Sequence, residues 1–259
     1  MLRFSANLSL LFSEYPWPQR FQVASRQGFK AVEIQFPYQL PAQQLQALLQ
    51  ENALQLILFN VAADTLLEGG EGLAAVPEKQ LQFKAAVNQA IAYAELLKPQ
   101  MINVLPGRCL QSERYDEYLD TFKNNLRYAA DAFAELGIRT VFEAINCYDM
   151  PGFIIDSSSQ MLDILTELNH PTLAMQYDIY HMQRMGEDSR IFLQQQITSI
   201  GHIQFADHPG RGQPGSGAID FNSLFAIIAA SPYQGWVGAE YRPTGSSAAS
   251  LDWFKQTYC

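Results

Sequence analysis

The sequence predicts an α/β fold, a single (β/α)8 TIM barrel spanning residues 1–259, and three observations carry that expectation. Its 259 residues match the roughly 250 typical of one eight-fold barrel and are too few for two ordinary α/β domains. Eight short apolar runs alternate with longer stretches of helical period, the pattern of repeated βα units around a parallel sheet. An open doubly wound sheet would carry a Gly-rich phosphate turn after its first strand. Here that strand runs on into NLSLLF.

The first run covers residues 4–8, and others follow at 31–34, 55–60, 101–105, 140–144, 173–177, 201–206 and 235–240. Each is four to six residues long, which suits a strand better than a helix. Between them the clearest helices are 77–97 and 113–136, where Ala, Leu and aromatic residues recur at steps of three and four. No linker rich in Pro, Gly or Ser divides the chain into halves. The longest expected loop, DHPGRGQPGSGA at 207–218, follows the seventh run, on the face where a barrel places its substrate contacts.

With 48% hydrophobic and 17% charged residues, the chain can bury a large core and does not read as disordered. Its formal charge of −9, from 17 Lys plus Arg against 26 Asp plus Glu, comes without a basic cluster and argues against a nucleic-acid partner. No stretch approaches the ~18 continuous apolar residues of a membrane span, so no membrane partner is expected. Asn7 and Glu14 interrupt the opening MLRFSANLSLLFSEYPW, which reads as a first strand rather than a signal peptide. Cys109, Cys147 and Cys259 lack metal or disulfide spacing and read as ordinary thiols of a reducing cytoplasm. Oligomeric state stays open, a homo-oligomer included.

Four polar residues fall near the ends of four consecutive runs: Glu143 in TVFEAIN, Asp178 in LAMQYDIYH, Gln204 in GHIQFAD and Glu240 in GWVGAEY. Each interrupts an otherwise apolar stretch, where an unpaired carboxylate is costly to bury. Three carboxylates and one amide oxygen at a shared mouth form a hard, oxygen-rich donor set, suited to a divalent metal such as Mg²⁺ or Mn²⁺. Strands five and eight lie three steps apart in a ring of eight, so Glu143 and Glu240 approach a central ligand from different sides. That disposition fits acid/base catalysis: one group takes a proton beside a carbonyl, and a cation steadies the enediolate.

His181 follows Asp178 by three residues in the expected loop after strand six, where it can bond a substrate oxygen. His202 shares a strand face with Gln204 one pleat deeper and reads as a core or supporting group, whereas His170 and His208 read as loop residues. Arg211 is the only Arg of the 207–218 loop, and its guanidinium fork suits a small anionic hydroxy-carbonyl acid substrate.

FSANLSLLF, FPY, LRYAADAF, FEAIN with PGF, QYDIYHMQRM, GHIQFADHPGRGQPGSGAID and YQGWVGAEYRP resemble, in order and spacing, segments of the hydroxypyruvate isomerase family. That family lies within the wider xylose-isomerase-like barrels, which include ketose 3-epimerases. The resemblance covers nearly the whole chain and is most specific from Glu143 to Pro243. It implies metal ligands at Glu143, Asp178, Gln204 and Glu240, acid/base glutamates at Glu143 and Glu240, and substrate contacts at His181 and Arg211. Gln204 stands where the similar sugar 3-epimerases usually carry His, which favours the isomerase branch; the resemblance implies interconversion of hydroxypyruvate and tartronate semialdehyde, with 2-oxo-tetronate isomerisation, or a related sugar-acid isomerase or epimerase of the same fold, as the alternative. In AVPEKQLQF, Glu78 and Lys79 replace a Gly-Arg pair more usual in the family.

Overall fold

The computed structural model describes residues 2–257. Eight parallel strands close into a barrel in sequence order: β1 (Arg3–Asn7), β2 (Ala31–Ile34), β3 (Gln55–Asn60), β4 (Met101–Asn103), β5 (Arg139–Glu143), β6 (Leu173–Asp178), β7 (Ile200–Phe205) and β8 (Trp236–Ala239). Closure is made by β1 against β8, with Phe4 opposite Val237 and Ala6 opposite Ala239. The expected runs fall on these strands with ends shifted by one or two residues. The fourth strand is shorter than the expected 101–105, because Pro106 follows directly on Leu105 and lacks the N–H that a ladder needs.

The outer layer comprises α1 (Trp17–Arg26), α2 (Ala42–Glu51), α3 (Gln80–Leu97), α4 (Tyr115–Ala134), α5 (Ser158–Leu168), α6 (Ile179–Arg184), α7 (Ser189–Gln196), α8 (Phe221–Ala230) and α9 (Asp252–Thr257). On α4 the buried side chains Tyr118, Phe122, Leu126, Ala129 and Phe133 recur every three or four residues, forming the stripe that seats the helix on the sheet. Helix α5 begins at a capping box made by Ser157 and Gln160 and ends where Asn169 adopts a left-handed φ of 43°. The expected helices at 77–97 and 113–136 correspond to α3 and α4, each preceded by a short 3-10 turn, Pro77–Lys79 and Ser112–Arg114.

Alternation along the strands sorts side chains between two environments. Phe4 of β1 and Phe205 of β7 point outward and pack edge-on against Phe225 and Trp253, while Tyr177 of β6 stacks on Phe192. The intervening residues turn inward. A cluster including Ala31, Met101, Val141 and Ala174 closes the amino-terminal end of the barrel. Two residues further along the same strands stand Glu33, Asn103, Glu143 and Gln176, all buried. The barrel therefore becomes polar toward its carboxyl end. Gly238 is required there, because a Cβ would come within 2.2 Å of Glu33 Oε1.

Cys109 is buried with its thiol 2.9 Å from Gln111 O, and Cys147 is also a free thiol. Cys259 lies outside the described residues. Among the described residues no helix is long and apolar enough to cross a membrane.

Candidate active site

A cavity of about 510 Å³ opens at the carboxyl ends of the strands and is lined by Glu143, His181, Arg211 and Glu240. Another, of about 440 Å³, lies at the opposite end beside Arg139, Gly201 and Tyr233; no acidic residue lines it. The first is the candidate site, since it alone of the two joins titratable groups to the loop face of the barrel.

Glu143 is the last residue of β5, Asp178 the last of β6, Gln204 lies within β7, and Glu240 directly follows β8. All four are buried. Glu240 Oε1 accepts from Asn7 Nδ2 at 2.8 Å, Gln35 Nε2 at 3.0 Å and Gln204 Nε2 at 3.4 Å, while Oε2 accepts from Arg211 at 2.5 Å. Glu143 accepts from Asn103 Nδ2 at 3.3 Å and Gln176 Nε2 at 2.6 Å. Asp178 caps α6 through Tyr180 N at 2.8 Å, leaving Oδ2 buried without a hydrogen-bond partner. Arg211 approaches that oxygen to 3.9 Å.

Burial first, and then the Glu240 and Asp178 carboxylates, push Glu143 well above the usual carboxylate range. Burial, with repulsion from Glu240, moves Asp178 up to about 7 against the pull of Arg211. Glu240 is raised by burial and by Glu33, and Arg211 opposes the shift. For Arg211, burial disfavours charge, but Glu240, Asp178 and Glu143 outweigh it and raise its pKa. The cluster thus crowds three acidic groups that resist ionising together in a buried site, with one guanidinium answering them.

Beneath this ring lies a second polar level. Glu33 accepts from Ser5 Oγ at 2.5 Å, His202 Nε2 at 2.7 Å and Gln204 Nε2 at 2.8 Å. Burial works against its charge, yet His202 and these hydrogen bonds outweigh burial and hold its pKa below the usual value. An ionised carboxylate only accepts, so His202 Nε2 carries a hydrogen and Gln204 turns its amide nitrogen to Glu33. The Gln204 oxygen consequently faces Gln176 Nε2 at 2.6 Å. His202 is the supporting group that its strand position suggested.

His181 departs from expectation. It is not in a solvated loop but on α6, only 2% exposed, because Asp178 ends β6 and caps the next helix without an intervening loop. Burial, then Arg211 and Arg184, hold its pKa well below the usual value, so the ring is neutral. Asn146 presents its backbone N at 3.4 Å and its side-chain Nδ2 at 2.6 Å to Nδ1. Nδ1 is then the acceptor, and Nε2, which lies 3.6 Å from Asp178 Oδ2, carries the hydrogen. His170 and His208 lie outside helices and strands, as expected.

Arg211 is held by a braced loop. Asp207 accepts backbone N–H bonds from His208, Gly215, Gly217 and Ile219 at 2.8–3.0 Å. Gly217 has no room for a Cβ, which would lie 2.4 Å from His208 O. Glu78 and Lys79 stand away from the cavity, paired with Arg114 at 2.5 Å and Asp64 at 2.8 Å.

The hard oxygen donors, the orphaned Asp178 Oδ2 and the mutual repulsion of the three carboxylates fit a divalent cation. As the side chains stand, no three His, Cys, Asp or Glu among the described residues converge to hold an ion. Arg211 and the Gln176 amide occupy the acceptors instead, and both would have to yield. Sequence reasoning missed Glu33, Gln176, Gln35, Asn7, Asn103 and Arg108. Glu33 carried the same signal as the four strand-end residues, a carboxylate inside the apolar run AVEI.

The chain belongs to the xylose isomerase-like TIM barrel family, whose model matches residues 21–257. It is 40% identical to hydroxypyruvate isomerase of Escherichia coli (strain K12), over 98% of each chain. It is 36% identical to 2-oxo-tetronate isomerase of Cupriavidus necator, again over 98% of each. Among solved structures, AP endonuclease, family 2 from Brucella melitensis superposes with a TM-score of 0.95 at 33% identity, covering 99% of each chain. The expectation of an isomerase-class enzyme resembling the hydroxypyruvate isomerases is borne out by these relatives.

Proposed function

We propose that the chain interconverts hydroxypyruvate and 2-hydroxy-3-oxopropanoate (tartronate semialdehyde) by proton transfer through an enediolate. The observation that carries this reading is the pair Glu143 and Glu240, on β5 and just beyond β8, lining one cavity with a neutral His181 and a cationic Arg211. One glutamate takes a proton from C3 of hydroxypyruvate, and its electron pair forms the C2–C3 double bond of the enediolate as the C2–O2 π bond breaks and places negative charge on O2. The other returns a proton to C2, and transfer of the O3 proton to O2 leaves an aldehyde at C3 and a hydroxyl at C2. His181 Nε2 donates to a substrate oxygen, and Arg211, beside Glu240 and Asp178, balances negative charge that develops on the reacting oxygens. Mg²⁺ or Mn²⁺ held by Glu143, Asp178, Gln204 and Glu240 would supply further positive charge at those oxygens.

Relatives named for hydroxypyruvate and for 2-oxo-tetronate support a small sugar acid as substrate. The test is a panel of hydroxypyruvate, tartronate semialdehyde, 2-oxo-tetronate and neutral ketoses, assayed with and without added divalent cation. Hydroxypyruvate turnover at the highest kcat/KM is expected. Preference for 2-oxo-tetronate would move the chain to that reaction, and turnover confined to neutral ketoses would overturn the sugar-acid reading.

A further inference from the structure

Four arginines, Arg108, Arg184, Arg211 and Arg242, line the cavity. Arg211 donates to Glu240 at 2.5 Å, and Arg184 pairs with Asp149 at 2.9 Å. Arg242 is exposed to solvent and hydrogen-bonds through its backbone N to Arg211 O at 2.7 Å. Arg108 differs from Arg184 and Arg211 in making no ion pair among the described residues, and from Arg242 in being half-buried. Its Nε, like that of Arg211, is buried without a hydrogen-bond partner. A guanidinium nitrogen hidden from water and left unbonded calls for an explanation.

The backbone around Arg108 is built to hold it. Its N–H bonds Glu71 O at 2.9 Å, the flanking Cys109 N bonds Gly152 O at 2.8 Å, and Gly107 O accepts from Ile154 N at 3.0 Å. Gly107 takes a φ of +95°, and a Cβ there would lie 2.5 Å from Glu71 O. Arg108 is thus clamped between two neighbouring loops while its side chain lines the cavity. Position within the ring adds direction. The proposed acid/base and ligand residues come from β5 to β8, and Arg184, Arg211 and Arg242 come from the same half. Arg108 follows β4 and is the one cation that the β1–β4 half contributes to the cavity wall among the described residues.

We infer that Arg108 is the specificity-determining residue that receives the carboxylate of the substrate, across the cavity from the reacting carbons. The inference rests on the sugar-acid reading above and refines it. Arg211 lies beside Glu240 and Asp178, at the proposed reacting groups, whereas Arg108 pairs with no carboxylate among the described residues and keeps its guanidinium for a two-point carboxylate bond.

The experiment is calorimetric titration of the full-length protein, in Mg²⁺-containing buffer, with D-glycerate and with glyceramide, its uncharged amide. Neither carries the carbonyl needed for reaction. Arg108→Met should weaken glycerate binding roughly ten- to hundredfold, the range for one charge-assisted contact, and leave glyceramide within about twofold. Arg108→Lys, which keeps the charge without the fork, should recover only part of the loss. Arg26→Met, removing a solvent-exposed charge on α1 away from the cavity, should change neither ligand. Equal glycerate binding by wild type and Arg108→Met overturns the inference, as does a loss that glyceramide shares. Glycerate binding abolished by chelation and indifferent to Arg108→Met would put the carboxylate on the cation and also overturn it. If the substrate panel instead finds no acid turned over, the functional reading falls, while this titration still decides whether Arg108 binds a carboxylate.

Discussion

Replacing Glu33 by Gln perturbs a residue that never reaches the cavity, and its expected effect can be worked from the contacts. The carboxylate accepts three hydrogen bonds, from Ser5, His202 and Gln204. A glutamine keeps one oxygen, which can serve Ser5 and His202, but its NH2 then meets the Gln204 NH2, donor against donor. Gln204 must rotate its amide, turning its nitrogen toward Gln176 Nε2, the donor from which its oxygen now accepts. Loss of a hydrogen bond to a charged group costs about 1.5–3 kcal/mol. We therefore expect a destabilisation of about 1.5–3 kcal/mol. Urea unfolding with unchanged m measures it, and calorimetry with Mn²⁺ measures the affinity of the proposed cation site, which should fall at least tenfold. A variant within 1 kcal/mol of wild type and with undiminished Mn²⁺ affinity would refute the idea that Glu33 sets the orientation of Gln204.

Four further outcomes are expected. Glu143→Gln and Glu240→Gln each lower kcat at least about a hundredfold, the lower range for a positioned acid/base group; near-normal turnover at full cation occupancy would remove that residue from proton transfer. Arg211→Ala lowers kcat/KM for the acid substrate by about 1.5–3 kcal/mol of transition-state stabilisation, and unchanged steady-state kinetics would return Arg211 to a purely structural role. Exhaustive chelation abolishes or sharply reduces activity, because three buried carboxylates repel one another without a cation; full activity in protein shown metal-free by elemental analysis would contradict this. Turnover in D₂O places deuterium on product carbon, as a carboxylate holding the migrating proton trades it with solvent, whereas complete intramolecular retention by NMR over many turnovers would count against exchangeable proton transfer.

Glu143, Asp178, Gln204 and Glu240 were legible because each breaks an apolar run at a strand's end, and strand ends of a barrel converge. Their supports were less so. Glu33 and His202 are 169 positions apart in the chain, and only closure of the ring makes them neighbours. Gln176 and Asn103 are uncharged amides, which attract no notice in a sequence, yet they bond Glu143 directly. His181 was misplaced in a loop because one residue, Asp178, does two jobs. A strand end and a helix cap read separately imply a spacer between them. Arg108 sits in LPGRC, a turn-like segment with no periodicity, and its isolation from every carboxylate is a property of three dimensions alone.

The clamp that Asp207 places on the 207–218 loop bears on how the enzyme tells substrates apart. Ordering a flexible backbone costs about 1–2 kcal/mol per residue, and a loop that freezes only on binding sets that cost against the affinity of every ligand. Here four backbone N–H groups already converge on one carboxylate, so the entropy of the loop is lost during folding rather than at each encounter. Recognition then proceeds against a fixed mouth. Under the proposed function, selection between small acids of different length would rest on the dimensions of that mouth rather than on a ligand-induced closure.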